Sequence, residues 1–227
     1  MGRATIIIGI LYGLAAITFM VVAVFYQGLG LVLLWPAGSF LLLSAGYLYF
    51  GPLVYGKSAD GRQNILLRLL HLPSYVFNKI TWKIGRASKP DDLWNEIVPN
   101  VFLGRRLVNR AQLPANTALV VDLTAEYLEA DDILTSVDYK CIPSLDGSAL
   151  VCDNFAQVLD YATDKRAVTY VHCAVGHGRA AMFVACLLIK TGVCANVKEA
   201  ECLIKAKRPR VHLRPSHKKI IELHCGI

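Results

Sequence analysis

Val168-Thr-Tyr-Val-His-Cys-Ala-Val-Gly-His-Gly-Arg179 leads from a β-branched, aromatic segment into a glycine-punctuated loop, and an apolar stretch from Arg179 to Lys190 follows at once. The composition of Val168–Val171 predicts a buried strand. The stretch from Arg179 to Lys190, closed by Thr191-Gly192, predicts a helix. Backbone N–H groups of the loop between them, Cys173 to Gly178, can converge on one point. The helix N-terminus adds partial positive charge there. Gly176 and Gly178 remove side chains where the backbone must turn tightly. The result is a nest for a tetrahedral oxyanion, formed by Ala174, Val175, Gly176, His177, Gly178 and Arg179. A thiol in that nest is favoured as thiolate. Arg179 presents a rigid fork that can hold two phosphate oxygens. Cys173 is therefore the expected nucleophile, placed for in-line attack and a phosphocysteine intermediate. The plainer alternative, a buried structural thiol, leaves the glycines, the Arg and the strand–loop–helix register without a purpose.

Outward from this stretch, Ala118–Leu123 reads as a buried strand, and Val101–Leu103 and Tyr139–Ile142 as further strands. Asn154–Thr163, Val197–Lys207 and Ser216–Leu223 read as helices. Strands alternating with helices predict an α/β domain over residues 91–227, with a central, mainly parallel sheet flanked by helices.

The N-terminal part is different. From Ala4 to Gly56 there are 53 residues without a charge. A bilayer core of roughly 30 Å needs about 20 helical residues, so this run suffices for two spans. Tyr26-Gln-Gly-Leu-Gly30 interrupts it. Span one is expected at about Thr5–Tyr26 and span two at about Leu31–Tyr55, which makes residues 1–56 a transmembrane α-hairpin. Pro36 and Pro52 are expected to kink or end the second helix. A cleaved secretory signal fits poorly, because the run is too long and a second apolar run follows directly. Residues 57–90 form a basic, amphipathic juxtamembrane segment ending in a short linker, Ala87–Asp91. Its basic residues among Leu, Phe, Tyr and Trp suit the headgroup layer, or alternatively packing on the catalytic domain.

Net charge is +7, and residues 1–90, with eight Lys/Arg and one Asp, account for all of it. The loop between the spans carries no charge, so the Lys/Arg count puts both termini and the catalytic domain on the cytosolic side. The basic excess belongs to the membrane-proximal segment, and nothing suggests a nucleic-acid partner. Within the domain, residues 91–164 carry 13 acidic and four basic side chains, and residues 165–227 carry three acidic and 12 basic. The basic half contains Cys173 and supplies a field that attracts phosphate, or it is simply a set of solvated helix faces. Seven Cys without C-x-x-C spacing argue against a disulfide framework or zinc site and agree with a reducing compartment.

His172-Cys173-x5-Arg179 resembles the signature of cysteine-based protein phosphatases, closest to the small dual-specificity branch. The likeness runs from Trp94 to Leu223. Trp94–Gly104 resembles that branch's opening strand, Val121–Thr124 its second, and Lys207-Arg-Pro209 its C-terminal segment. The resemblance implies phosphomonoester hydrolysis without metal or cofactor, on a sheet flanked by helices. It also implies a proton donor, an Asp on a loop upstream of the Cys. Ile142-Pro-Ser-Leu-Asp-Gly147 fits, which makes Asp146 the expected general acid, with Asp153 and Asp138 in reserve. A carboxyl beside a dianionic substrate keeps its proton, as this role needs; an ordinary Asp-Gly turn is the alternative. The resemblance gives His172 a supporting role, orienting the loop. His177 stands where lipid-directed members often carry Lys, and Ala174 and Val175 also lack that Lys. Ala180 stands where the family usually has Ser or Thr, whose hydroxyl assists the departing thiolate.

Three functions remain in play. The first is a phosphatase of phosphoprotein, favoured by the Lys-free loop. The second is a phosphatase of phosphorylated lipid headgroups, favoured by the membrane anchor. The third is a catalytically weak phosphate-binding module, favoured by Ala180.

Overall fold

The structure, a computed structural model, describes residues 2–88, 91–148 and 153–227, with backbone alone for 85–88. Cys152 and the linker residues Lys89 and Pro90 lie outside the described residues. The chain divides into two compact units, one of Met1–Lys57 with Gln63–Asp91 and the other of Ser58–Arg62 with Asp92–Ile227.

The first unit contains two helical stretches long and apolar enough to cross a membrane, Arg3–Tyr26 (α1) and Gly28–Tyr55. Both leave large apolar side chains exposed, among them Ile7, Leu11, Val21 and Phe25 on α1. A buried core helix of a soluble protein would cover them, whereas hydrocarbon solvates them. The helices meet through small residues. A Cβ on Gly9 would come 2.8 Å from Leu48, and one on Gly13 would come 3.1 Å from the Ser44 hydroxyl. Rings of Tyr12 and Phe19 lie within 6 Å of Phe40. The second stretch is irregular, as the prolines predict. A 3₁₀ turn precedes Leu34–Ala45 (α2), and Pro36 falls in the first turn of α2, where its missing N–H costs little. A π segment, Gly46–Phe50, then gives way at Gly51 (φ 61°) to a 3₁₀ turn holding Pro52.

Ile65–Leu70 (α3), capped by the Asn64 side chain, and Leu72–Ser88 (α4) belong to this unit. They fold back on the second apolar stretch. Phe77 packs edge-on against Phe40, and Trp35 Nε1 donates to the Leu69 carbonyl over 3.2 Å. Leu66, Ile80 and Ile84 stay exposed. The juxtamembrane segment thus covers its own neighbouring helix with one face, where the sequence suggested only headgroups or the catalytic domain.

The second unit is built on one sheet of five strands in the order β1-β2-β5-β3-β4. The strands are Trp94–Val98 (β1), Val101–Arg105 (β2), Leu119–Asp122 (β3), Asp138–Cys141 (β4) and Thr169–Cys173 (β5). Only β1 and β2 pair antiparallel; β2/β5, β5/β3 and β3/β4 are parallel. Trp94–Gly104 therefore contains a hairpin, turning at Asn100 (φ 69°), where one strand was expected. The helices are the short Asp131–Leu134 (α5), Phe155–Lys165 (α6), Arg179–Lys190 (α7), Val197–Lys207 (α8) and Pro215–Cys225 (α9). Alternation along the central strands assigns the two faces. Leu119, Val121 and Val171 pack with α7, which is buried from Arg179 to Leu188. Val120 and Tyr170 face a smaller cluster with Leu107 and Ile133. At the far edge, the Cys141 amide donates to Ala59 O over 2.9 Å, so Ser58–Arg62 shields one end of β4.

Candidate active site

Parallel register aligns the C-terminal ends of the central strands. Asp122 on β3 pairs with both Cys141 on β4 and His172 on β5, one residue before Cys173. Ligands in α/β sheets gather at such ends. Three loops do so here: Cys173–Gly178 after β5, Leu123–Ala130 after β3, and Ile142–Ser148 after β4.

The Cys173 loop is held from both sides. Its inner side faces the thiol, with the Gly176 N–H donating to Cys173 Sγ over 3.3 Å. Its outer side is held by Arg208, whose Nε donates to Gly176 O (3.0 Å) and Nη2 to Val175 O (3.1 Å). Arg208 is itself buried and anchored to Asn95 Oδ1 at 2.7 Å. Fixing those carbonyls outward turns the intervening amides inward. Gly176 sits at φ 75°, and a Cβ there would come 2.3 Å from Gly104 O, so no other residue fits. Gly178 is favoured for a different reason: its φ is ordinary, but a Cβ there would come 3.1 Å from His217 Cε1, so the ring would have to shift. His177 is half-buried, and its carbonyl accepts from the His212 N–H at 3.1 Å. Cys173 is buried, as is Ala174, while Val175 is partly exposed.

Arg179 is 1% exposed and opens α7. The sequence predicts that its fork holds two phosphate oxygens, and in the structure most of that fork is bonded to protein. Nη1 donates to Leu123 O (3.1 Å), Ser144 O (2.8 Å) and Glu126 Oε2 (3.0 Å), and Nη2 donates to Glu126 Oε1 at 2.7 Å. Nε has no hydrogen-bond partner. A guanidinium has five N–H donors. The Nε–H is left for an anion, while Nη2 also lies 3.2 Å from Asp146 Oδ1, so its second N–H is shared with that carboxylate. Burial alone would weaken the charge, but Glu126 and Asp146 more than offset it, and Arg179 stays fully cationic.

Asp146 is thus brought to the mouth of the site, with its side chain 72% exposed. Of the reserve candidates, Asp138 is not brought there. Asp138 begins β4 at the opposite end of the sheet. Burial alone would raise its pKa, but hydrogen bonds from Lys165, Tyr161 and Lys140 hold it at about 2. Asp153 is exposed in the turn before α6.

His172 is buried beneath the loop, its Nε2 2.9 Å from Glu129 Oε2 and its Nδ1 3.8 Å from Asp122 Oδ1. These three side chains bring potential ligand atoms within 4.8 Å of one another. The Asp122 oxygens are already occupied by Thr124 N (2.7 Å) and Tyr139 Oη (2.7 Å), which suits a fixed hydrogen-bond network better than an ion. One segment therefore orients both groups flanking the thiol, Glu126 holding Arg179 and Glu129 meeting His172. The sequence reading missed Asp122, Glu126 and Glu129. Their signal was the acidic half of the domain facing a basic half that contains Arg179.

A buried Cys and a buried Arg at the two ends of a loop joining a central strand to the core helix, with an Asp-bearing loop alongside, define a cysteine-based phosphatase domain. Residues 107–225 match the family described as the Swiss Army Knife protein, DSP-PTPase phosphatase domain. The chain belongs to that family. It is 26% identical over 186 residues to the human phosphatidylglycerophosphatase and protein-tyrosine phosphatase 1, covering 71% of this chain and 88% of that protein. It is 27% identical over 174 residues to the phosphatidylglycerophosphate phosphatase PTPMT2 of Arabidopsis thaliana, covering 68% and 71%. The crystal structure of PTPMT1 in complex with PI(5)P shares the fold, with a TM-score of 0.53 at 21% identity, over 60% of this chain and 96% of that one.

Proposed function

We propose that the chain is a membrane-anchored phosphatase of a phosphorylated lipid headgroup, with Cys173 as nucleophile, Arg179 as phosphate ligand and Asp146 as general acid. The observation that carries this reading is the grouping of Cys173, Arg179 and Asp146 in a phosphatase-family domain preceded by two exposed apolar helices. Both relatives, one animal and one plant, are named as phosphatases of phosphatidylglycerophosphate, the human one as a protein-tyrosine phosphatase too, which supports a lipid monoester such as phosphatidylglycerophosphate. They outweigh the Lys-free loop, which had favoured phosphoprotein.

The chemistry follows from the geometry. The amides of Ala174 to Gly178 and the N-terminus of α7 surround the phosphoryl group, and Arg179 meets its oxygens with Nε–H and Nη2–H. Cys173 Sγ attacks phosphorus, and the S–P bond forms as the P–O bond to the headgroup breaks. Asp146 gives its proton to the departing oxygen, so a neutral alcohol leaves. Water then attacks the phosphocysteine, and Asp146 takes the water's proton. The P–S bond breaks to release phosphate and restore the thiolate. His172 supports the loop from beneath. Both termini and the catalytic domain lie on the cytosolic side.

Full-length protein in mixed micelles, assayed on phosphatidylglycerophosphate and on phosphotyrosine and phosphoserine peptides, tests this. The lipid is expected to have the higher kcat/KM by at least about tenfold, roughly 1.4 kcal/mol in the barrier, and Cys173→Ser abolishes turnover. A preference for peptides of that size restores the phosphoprotein reading. Tight phosphate binding without turnover on any substrate restores the binding module.

A further inference from the structure

The loop that presents Asp146 is held at both ends. Before the Asp, Ser144 O accepts from Arg179, and Ser144 Oγ donates to Leu123 O over 2.6 Å. After it, Gly147 takes φ 69°, and its carbonyl accepts from Arg214 Nη1 over 2.7 Å. Arg214 belongs to neither the Cys173 loop nor the Asp146 loop. It is the residue on which α9 starts, and its own N–H donates to His217 Nδ1 at 3.3 Å.

We propose that Arg214 is a positioning residue for proton transfer: by gripping the Gly147 carbonyl, it holds the neighbouring Asp146 carboxyl over Arg179. This rests on the reading of Asp146 as general acid. Asp146 is exposed and sits in a turn closed by the Ser148 N–H donating to Leu145 O over 3.3 Å, and Arg214 is the side chain that grips the carbonyl next to it. Arg214 is itself immobilised by its place at the helix start. His217 adds support from the same turn of α9. It is buried against Gly178, and its ring accepts from Arg214 as a neutral imidazole must. Burial, opposed by the nearby Ser148 backbone and helped by Arg214 and Arg179, holds it neutral down to about pH 4. One short stretch, Arg214–His217, thus braces the Asp146 loop and borders the Cys173 loop at Gly178.

A residue that acts through the acid affects substrates according to their leaving group. In the full-length protein, Arg214→Met is expected to slow hydrolysis of an alkyl phosphate about tenfold or more, and an activated aryl phosphate far less. Arg214→Lys, which keeps a donor, should recover part of the loss. Added to Asp146→Asn, Arg214→Met should cost nothing further on the alkyl phosphate, because the two act through one proton. Thermal unfolding of each variant reports whether it folds, and if the Met variant does not, the Lys variant carries the same comparison. Equal slowing of both substrates, or a full additional loss on top of Asp146→Asn, assigns Arg214 a merely structural role. If Asp146→Asn itself shows no dependence on leaving group, the general-acid reading fails and this inference falls with it. If Asp146→Asn shows that dependence and Arg214→Met does not, only this inference fails.

Discussion

Ala180 is fully buried at the start of α7, one residue beyond Arg179. In related phosphatases a hydroxyl at this point assists the thiolate that leaves during hydrolysis of the intermediate. Here the loop supplies the Gly176 N–H, 3.3 Å from Sγ, and the side chain at 180 adds no donor. A hydrogen bond to a charged group contributes roughly 1.5–3 kcal/mol, and each 1.36 kcal/mol is about tenfold in rate. Ala180→Ser is therefore expected to raise steady-state turnover about tenfold where hydrolysis limits. Wild type should release a product burst of about one equivalent per site, and the variant should shorten or lose it. Rapid-quench kinetics on an aryl phosphate read both quantities. No burst in wild type and no gain in the variant would mean that the loop amides alone serve the leaving thiolate. That Cys173 and Arg179 stand at the two ends of one strand–loop–helix unit was legible in the sequence from local composition, whereas Asp146, expected from the family resemblance, is placed beside Arg179 only by the fold. The partners of Arg179 were not legible. Glu126 reaches it from 53 residues away, and no local pattern encodes such a contact.

At the level of elements, the loop after β3 matters as much as the loop after β5. Glu126 forms a two-point contact with a guanidinium that is 1% exposed, and the carboxylate is itself nearly buried. Charges so placed need each other, since removing one partner of a buried pair typically costs about 3–5 kcal/mol. Glu126→Gln keeps one acceptor oxygen and the volume but loses the charge and one of the two contacts. It is expected to lower stability by about 1–3 kcal/mol and to weaken inhibition by phosphate or vanadate, because Arg179 loses the contact that fixes its plane. Urea unfolding and inhibition constants, measured side by side, check this. Unchanged inhibition would show that Leu123 O and Ser144 O suffice to orient the Arg. The same level explains where the fold was easy and hard to read. α7 and α8 were legible to the residue, because apolar periodicity and the Thr191-Gly192 stop mark them. The β1/β2 hairpin was hidden, since its turn is Pro99-Asn100 with Asn100 in the left-handed region, a weaker sign than glycine. The return of α3 and α4 onto the second apolar stretch was hidden too. An amphipathic face specifies that something covers it, not which surface does.

For the whole molecule, the open question is the side of the membrane on which the catalytic unit works. The run Ala4–Gly56 is uncharged, the turn within it at Gln27–Gly30 carries no Lys or Arg, and seven of the eight cations in residues 1–90 follow the second stretch. Arg3, the remaining one, is the first residue of α1. With two spans the termini share a side, and cations near span ends stay cytosolic. The reverse orientation would carry Arg3 and the basic segment Lys57–Lys89 across the bilayer and leave only the neutral turn behind. The catalytic unit is therefore expected to face the cytosol and to meet lipid headgroups of that leaflet. In sealed right-side-out vesicles from cells expressing the chain, protease added outside should leave residues 57–227 intact, and detergent should make them cleavable. A Cys introduced at Gln27, in a chain whose Cys152, Cys202 and Cys225 are replaced by Ser, should react with an impermeant maleimide before the vesicles are opened. Digestion of the catalytic unit before detergent, with the Cys at position 27 protected, would reverse the topology and move the substrate to the opposite leaflet. Digestion together with labelling would show that the chain does not cross the membrane twice.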